Sequence, residues 1–169
     1  MQRRHFLGLL GAGGLAGLLP GWALARPVLD LKRGADVEPL SLDEQAWRKR
    51  LSEAQFQVLR EADTEPAGSS PLNAEKRRGE YRCAGCDLTL FTSAMKYDSG
   101  TGWPSFFDHV EGHLLTRLDF VLLLPRTEYH CARCGGHQGH VFEDGPEPTG
   151  LRWCNNGLAL RFVPAAASG

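Results

Sequence analysis

Two short cysteine knuckles constrain this chain more than any other feature of its sequence. Cys83-Ala-Gly-Cys86 and Cys131-Ala-Arg-Cys134 each set two thiols apart by two residues, with residues 87–130 between the knuckles. Zinc takes four soft ligands tetrahedrally, and a two-residue spacer lets a tight turn aim both sulfurs at one ion, with Gly85 and Gly135 easing the backbone. A shell closed by four thiolates has no open position. The spacing therefore predicts one structural Zn2+ per chain, which pins one end of a sheet and contributes on the order of 10 kcal/mol to folding. Three other uses of these residues stay open: two independent disulfides, replacement of a cysteine by His130, His137 or His140, and a redox-active pair. The last needs a strand-to-helix α/β setting that the sequence lacks. The chain has five cysteines, so Cys154 is left over.

The N-terminal residues 1–25 read as an address. Arg3 and Arg4 precede an apolar, glycine-studded run from Phe6 to Leu19, and the segment ends in Ala23-Leu24-Ala25. A charged front, a short apolar middle and an A-x-A site predict a signal of the twin-arginine type, cleaved after Ala25 and leading to the periplasm. The run is shorter than the roughly 20 apolar residues of a spanning helix, so no stable membrane insertion is expected.

Residues 26–40 lack a period and contain Pro27, Gly34 and Pro39, which predicts a flexible leader with no core. Ser41 with Glu44, and Ser52 with Gln55, have the spacing of capping boxes and predict two short helices reaching about Asp63. Leu51 and Phe56 fit a hydrophobic staple on the second helix, with Phe56, Val58 and Leu59 as its apolar face. Residues 64–79, rich in Pro, Gly, Ser and charge, read as a surface loop. From Tyr81 onward, short β-like runs separated by turn residues predict a mainly β, antiparallel body, with Leu118–Leu124 as a central strand and Leu158, Leu160 and Phe162 on the buried face of the last one. The domain spans residues 41–164 and 165–169 form a tail.

Lys+Arg 19 against Asp+Glu 20 leaves a formal charge of −1, without the basic footprint of a nucleic-acid binder. Cys154 lies in GLRWCNNGLALRF. A lone cysteine is commonly a small buried hydrophobe, but Arg152, two positions away on the same side of an extended chain, is placed to stabilise a thiolate and lower the thiol pKa. Glu143 and Asp144 read either as supports of the site residues or as solvated charges, with solvation favoured.

The segments YRCAGCDLTLF, KYDSGTGWPSF and HCARCGGHQGHVFEDGPEPTGLRWCNNGLALRF, in that order and spacing, resemble the B-type methionine sulfoxide reductases, over roughly Ser41 to Pro164. The resemblance implies two antiparallel sheets in a barrel-like or β-tent arrangement with short N-terminal helices. It also implies thiol-dependent reduction of the R epimer of methionine sulfoxide in proteins and peptides, with Cys154 at the catalytic position and Trp103, His137, His140, Phe142, Arg152 and Asn156 at active-site positions. A sulfoxide has an electrophilic sulfur and an oxygen that must be protonated to leave, so its reduction needs a nucleophilic thiolate and an acid. Cys154 suits the first role and His140 the second, with Asn156 orienting His140 or the oxygen. Trp103 and Phe142 offer an apolar, polarisable seat for the uncharged S-methyl group, beside His137 and Arg152. A zinc-stabilised β module that binds a ligand without catalysis is the rival reading.

Many members of that family carry a second redox cysteine two residues before the tryptophan; this chain has Thr101 there. With four cysteines assigned to zinc and one to attack, none is left to close an internal disulfide. The expected partner is an external reductant: a thioredoxin-like or glutaredoxin-like protein or a small thiol acting on a sulfenic acid at Cys154. Gln138, Asn155 and Gly157 also differ from the leucine, aliphatic residue and serine common at those positions. The chain is expected to be a monomer.

Overall fold

The computed structural model describes residues 29–122 and 124–166; the expected signal segment 1–25 lies outside them. The chain is mainly β. Two helices, α1 (Glu44–Arg50) and α2 (Glu53–Glu61), precede nine strands in two open antiparallel sheets that do not close into a barrel. The smaller sheet has the order β2-β1-β9, from β1 (Gly79–Cys83), β2 (Thr89–Thr92) and β9 (Leu160–Pro164). The larger contains β3 (Lys96–Tyr97), β4 (Ser105–Phe106), β5 (Leu114–Asp119), β6 (Arg126–Cys131), β7 (His137–Phe142) and β8 (Arg152–Asn155), in the order β3-β4-β8-β7-β6-β5. Tyr81, Phe91, Phe106, Tyr129 and Trp153 are completely buried between them. Phe91 stacks on Phe106 at 4.0 Å, and Tyr129 meets Trp153 edge-on at 5.0 Å. No helix among the described residues is long and apolar enough to cross a membrane.

The second helix starts as its sequence dictates: Ser52 Oγ accepts from Gln55 N and the Gln55 side chain accepts from Ser52 N, satisfying two exposed donors at once. The first starts two residues later than expected. Asp43, not Ser41, is its N-cap, accepting from Ala46 N at 2.7 Å. Aspartate caps as well as serine does, and this start leaves Trp47 facing the core.

Three expectations about packing are overturned. Residues 29–40 do carry core: Val37 is buried, Leu31 N donates to Thr116 Oγ1, Gly34 N to Gly112 O and Leu40 N to Arg133 O. Their lack of period reflects docking through backbone bonds rather than through one side-chain face. Leu118–Leu124 is no central strand, because β5 is the edge of the larger sheet and ends at Asp119; Phe120, Val121, Leu122 and Leu124 are exposed. In the last strand Leu160 and Arg161 alternate inward and outward as expected, while Leu158 belongs to a 3-10 turn over Gly157–Ala159.

Candidate active site and metal centre

The four knuckle cysteines come together. Their sulfurs all lie within 4.8 Å of one another, with Cys83 and Cys134 at 3.6 Å and Cys86 and Cys131 at 3.4 Å; all four are buried and none forms a disulfide. Tetrahedral zinc with Zn–S bonds of about 2.3 Å would space its sulfurs by about 3.8 Å, so the donor set and its spread fit such an ion. No histidine replaces a cysteine in the cluster. Cys83 ends β1 and Cys131 ends β6, so the cluster bridges the two sheets, where the sequence suggested a pin at one end of a single sheet.

Cys154 belongs to β8, flanked by β4 and β7, and is half-buried while its neighbours Trp153 and Asn155 are fully buried. The period of a strand therefore sends Cys154 and Arg152 to the face opposite the core. There Cys154 lines a pocket of about 430 Å3 with Trp103, His140, Phe142 and Asn156. His140 is its cross-strand partner and Gly139 the partner of Asn155. A side chain at Gly139 would collide with the Cys154 carbonyl, so only glycine lets β7 lie this close to β8.

The structure reassigns several of the expected roles. Arg152 pulls the Cys154 pKa down, as expected, and so does a hydrogen bond from Thr101, but burial pushes it up by more and the thiol ends above its ordinary value. Arg152 is already engaged, with bidentate bonds to Asp144 at 2.7 and 2.9 Å and its guanidinium 4.3 Å from the centre of the Phe142 ring. It thus steadies a wall of the pocket, and Asp144, an exposed charge as expected, is also its anchor. Asn156 lines the pocket but makes no described hydrogen bond to His140. Its Oδ1 accepts from Glu65 N and its Nδ2 donates to Gln138 O, so its amide joins two segments of backbone. His137 is buried behind His140, their rings 5.6 Å apart, and does not line the Cys154 pocket.

Each histidine has a carboxylate that the sequence did not single out. His140 Nε2 lies 2.7 Å from Asp119 Oδ2, and His137 Nδ1 lies 2.7 Å from Glu128 Oε1. Burial pushes the Asp119 pKa up, but the Val121 N–H, His140 and Arg126 more than offset it and hold it at about 2. Burial likewise raises Glu128, while His137 and Arg117 bring it to about 2. Both carboxylates are ionised and can only accept, so the proton sits on His140 Nε2 and on His137 Nδ1. The signal for Asp119 was present as the one acid inside an apolar run.

Glu65 had no such signal, lying in the stretch read as a surface loop. Its side chain is buried and accepts from Gly157 N at 2.5 Å and Leu158 N at 2.9 Å, while its backbone O accepts from Trp103 Nε1 at 3.0 Å. One residue thus ties the indole of the pocket, the Asn156 amide and the turn after Cys154. Replacing Glu65 by Ala leaves two backbone donors unpaired, one buried and one part-buried, at about 1–3 kcal/mol each, so E65A is expected to lose about 2–6 kcal/mol in urea unfolding. An unchanged midpoint and slope would show that the carboxylate carries no such strain.

The departures at Gln138 and Asn155 form one buried chain. Tyr129 Oη donates to Asn155 Oδ1 at 2.9 Å, Asn155 Nδ2 reaches Gln138 Oε1 at 3.4 Å, and Gln138 Nε2 donates to Cys83 Sγ at 3.5 Å. Polar side chains here satisfy one another, as buried polar groups must, and connect the four-cysteine cluster to the strand that carries Cys154.

The SelR domain model matches residues 51–164. The peptide methionine sulfoxide reductase MsrB of Pseudomonas paraeruginosa is 48% identical over 120 residues, 70% of this chain and 91% of that protein. The protein of the same name from Bradyrhizobium diazoefficiens is 46% identical over 136 residues, 80% of this chain and 98% of its own. The chloroplastic peptide methionine sulfoxide reductase B1 of Arabidopsis thaliana is 45% identical over 123 residues, 72% of this chain and 61% of that protein. On this match the chain belongs to the SelR domain family, that of the B-type methionine sulfoxide reductases.

Proposed function

We propose that this protein is a peptide-methionine (R)-S-oxide reductase, in which Cys154 removes the oxygen of methionine sulfoxide and an external thiol restores it. The observation that carries the reading is the free, half-buried thiol of Cys154 in a pocket walled by Trp103 and Phe142, with His140 across the strand pair. Cys154 sulfur attacks the substrate sulfur as the sulfoxide oxygen takes up a proton. The hydroxyl then passes to the Cys154 sulfur as the substrate S–O bond and the new S–S bond both break, leaving methionine and a sulfenic acid on Cys154. A first thiol displaces water to form a mixed disulfide, and a second releases Cys154 as a thiol with an external disulfide as product. Thr101 touches Cys154 where a resolving cysteine would stand and cannot form that disulfide.

The four-cysteine cluster is read as a structural Zn2+ site. The ion, when bound, supplies a cross-link and enters no chemical step. Oxidised proteins and peptides are the substrates of this reading, and thioredoxin-like or glutaredoxin-like proteins or small thiols the reductants. Export by the twin-arginine route, periplasmic location and a monomeric state complete it, on the N-terminal sequence and family alone.

The test is consumption of each epimer of N-acetyl-methionine sulfoxide with dithiothreitol, followed over pH. Only the R epimer should be consumed; loss of both epimers alike would overturn the reading. Burial holds His140 below its ordinary pKa, with the Asp119 bond opposing, and holds Cys154 above its own. The reactive pair, thiolate with imidazolium, is then a minor form whose population stays constant between the two pKa values, because one group gains what the other loses. kcat/KM should rise through the His140 pKa, run flat across neutral pH and fall through the Cys154 pKa. In His140→Asn it should drop by about 10² and climb with pH throughout, since only thiolate formation remains to titrate. A flat profile in that variant would remove His140 from the acid role.

A further inference from the structure

The pocket around Cys154 is one part of a longer groove. Thr64, Arg126 and His140 line both the pocket and an adjoining groove of about 720 Å3, whose outer wall contains Phe120 and Val121. Beyond them the chain exposes Leu122 and Leu124, and the four side chains are 66%, 85%, 55% and 76% accessible in order of sequence. These are the large apolar side chains left exposed among the described residues, and single exposed apolar residues need no explanation whereas a contiguous set does. The same groove holds two buried nitrogens without a hydrogen-bond partner, His137 Nε2 and Arg126 Nε. With its proton on Nδ1, His137 presents Nε2 as an acceptor, and Arg126 Nε is a donor. A segment of polypeptide backbone carries the complementary pair, one N–H and one C=O per residue.

Resting on the reductase reading, we propose that Phe120, Val121, Leu122 and Leu124 form an apolar docking lip for the chain that flanks the methionine sulfoxide. The occupant is an extended segment with apolar side chains on one side of the oxidised residue. Its side chains cover the lip while its backbone meets Arg126 and His137. Continuity with the nucleophile's pocket favours this occupant, since a peptide seated at Cys154 and leaving past His140 has to cross this wall. Trp103 also lines a second groove, with Lys76, Lys96, Tyr97 and Asp98, which has no exposed apolar run like that of residues 120–124.

The experiment compares the full-length protein with its Phe120→Ser, Leu122→Ser, Leu124→Ser triple variant. The substrates are N-acetyl-methionine-R-sulfoxide and two peptides in which the same residue is flanked by glycines or by leucine and valine. The intact lip should raise kcat/KM for the apolar peptide about tenfold over the glycine peptide, the scale of partly burying two such side chains, and the variant should bring the ratio near one. Turnover of N-acetyl-methionine-R-sulfoxide should be unchanged, which also reports that the variant is folded. Equal ratios in both proteins, or equal loss on all three substrates, overturn the proposal. Anisotropy of labelled peptides on Cys154→Ser separates the two readings: lip-dependent binding with no turnover in the intact protein sinks the reductase and leaves the lip. Sedimentation velocity and flotation with phosphatidylglycerol vesicles test the rival occupants. A variant altered only in self-association or vesicle binding assigns the loop to a second copy or a membrane and overturns the peptide.

Discussion

Cys154→Ser is expected to fold normally and to lose methionine sulfoxide reduction by about 10³-fold or more, down to the rate of the thiol reductant alone. In the proposed mechanism the step moves an oxygen from one sulfur to another. A serine hydroxyl has no sulfur on which to receive it, so no lesser version of the same chemistry is available to the variant. Cys154 is half-buried on the pocket face and Ser is close to it in size, so the core formed by Trp153 and Tyr129 on the other face is undisturbed. Mass spectrometry supplies the positive control. One equivalent of substrate without reductant should add a single oxygen to the Cys154 peptide of the intact protein. No internal disulfide should follow, because the remaining four cysteines are sequestered in the knuckle cluster. Persistent turnover by the serine variant, or an internal disulfide at Cys154 during turnover, would sink the mechanism at its first or its second step respectively.

The second large effect is on folding. Cys86→Ser, or Cys131→Ser, should prevent the protein from reaching its native state, with loss of sheet signal in circular dichroism and of one bound zinc per chain in elemental analysis. A closed thiolate site is worth on the order of 10 kcal/mol, comparable to the whole stability of about 5–15 kcal/mol expected of a domain. Its position magnifies the effect. The cluster joins the end of β1 to the end of β6, and around the second knuckle Arg33 Nε donates to Ala132 O, Leu40 N to Arg133 O and Arg60 Nη1 to Cys134 O. Releasing the knuckle therefore also frees residues 29–40 and α2 from the sheet. A variant that retains native circular dichroism and cooperative unfolding without metal would show that the sheets hold each other without the clamp.

What could be read along the chain and what could not divide by the range of the interactions involved. Knuckle spacing, the Ser52–Gln55 box and the Leu160–Arg161 alternation depend on residues within a few positions of each other, and all were legible. The Ser41–Glu44 box is equally local but lost to Asp43, an equally good cap two residues on. The apolar run from Leu118 to Leu124 looked like core because hydrophobicity carries no information on whether another strand lies alongside. Here β5 has β6 on one side and no strand on the other, and the run turns out of the sheet after Asp119. Arg152 sits where the sequence put it, on the face of Cys154. Its charge does pull the thiol pKa down, but burial outweighs it and leaves the net shift upward.

Alone, the sequence determined the kinds of chemistry the chain can carry: four thiols paired for an ion, a fifth left free, an indole and two histidines at family positions, and no basic surface for nucleic acid. Tertiary structure decided which of these groups act together. Asp119 and Glu128 fix the tautomers of His140 and His137, and Glu65 braces Trp103 and the turn after the nucleophile across 38 and 92 residues of chain. It also turned an apolar run into an exposed wall beside the pocket. Residue types and short spacings are written in the chain itself, whereas burial, partner choice and the resulting balance of charge against desolvation exist only once distant segments are packed together.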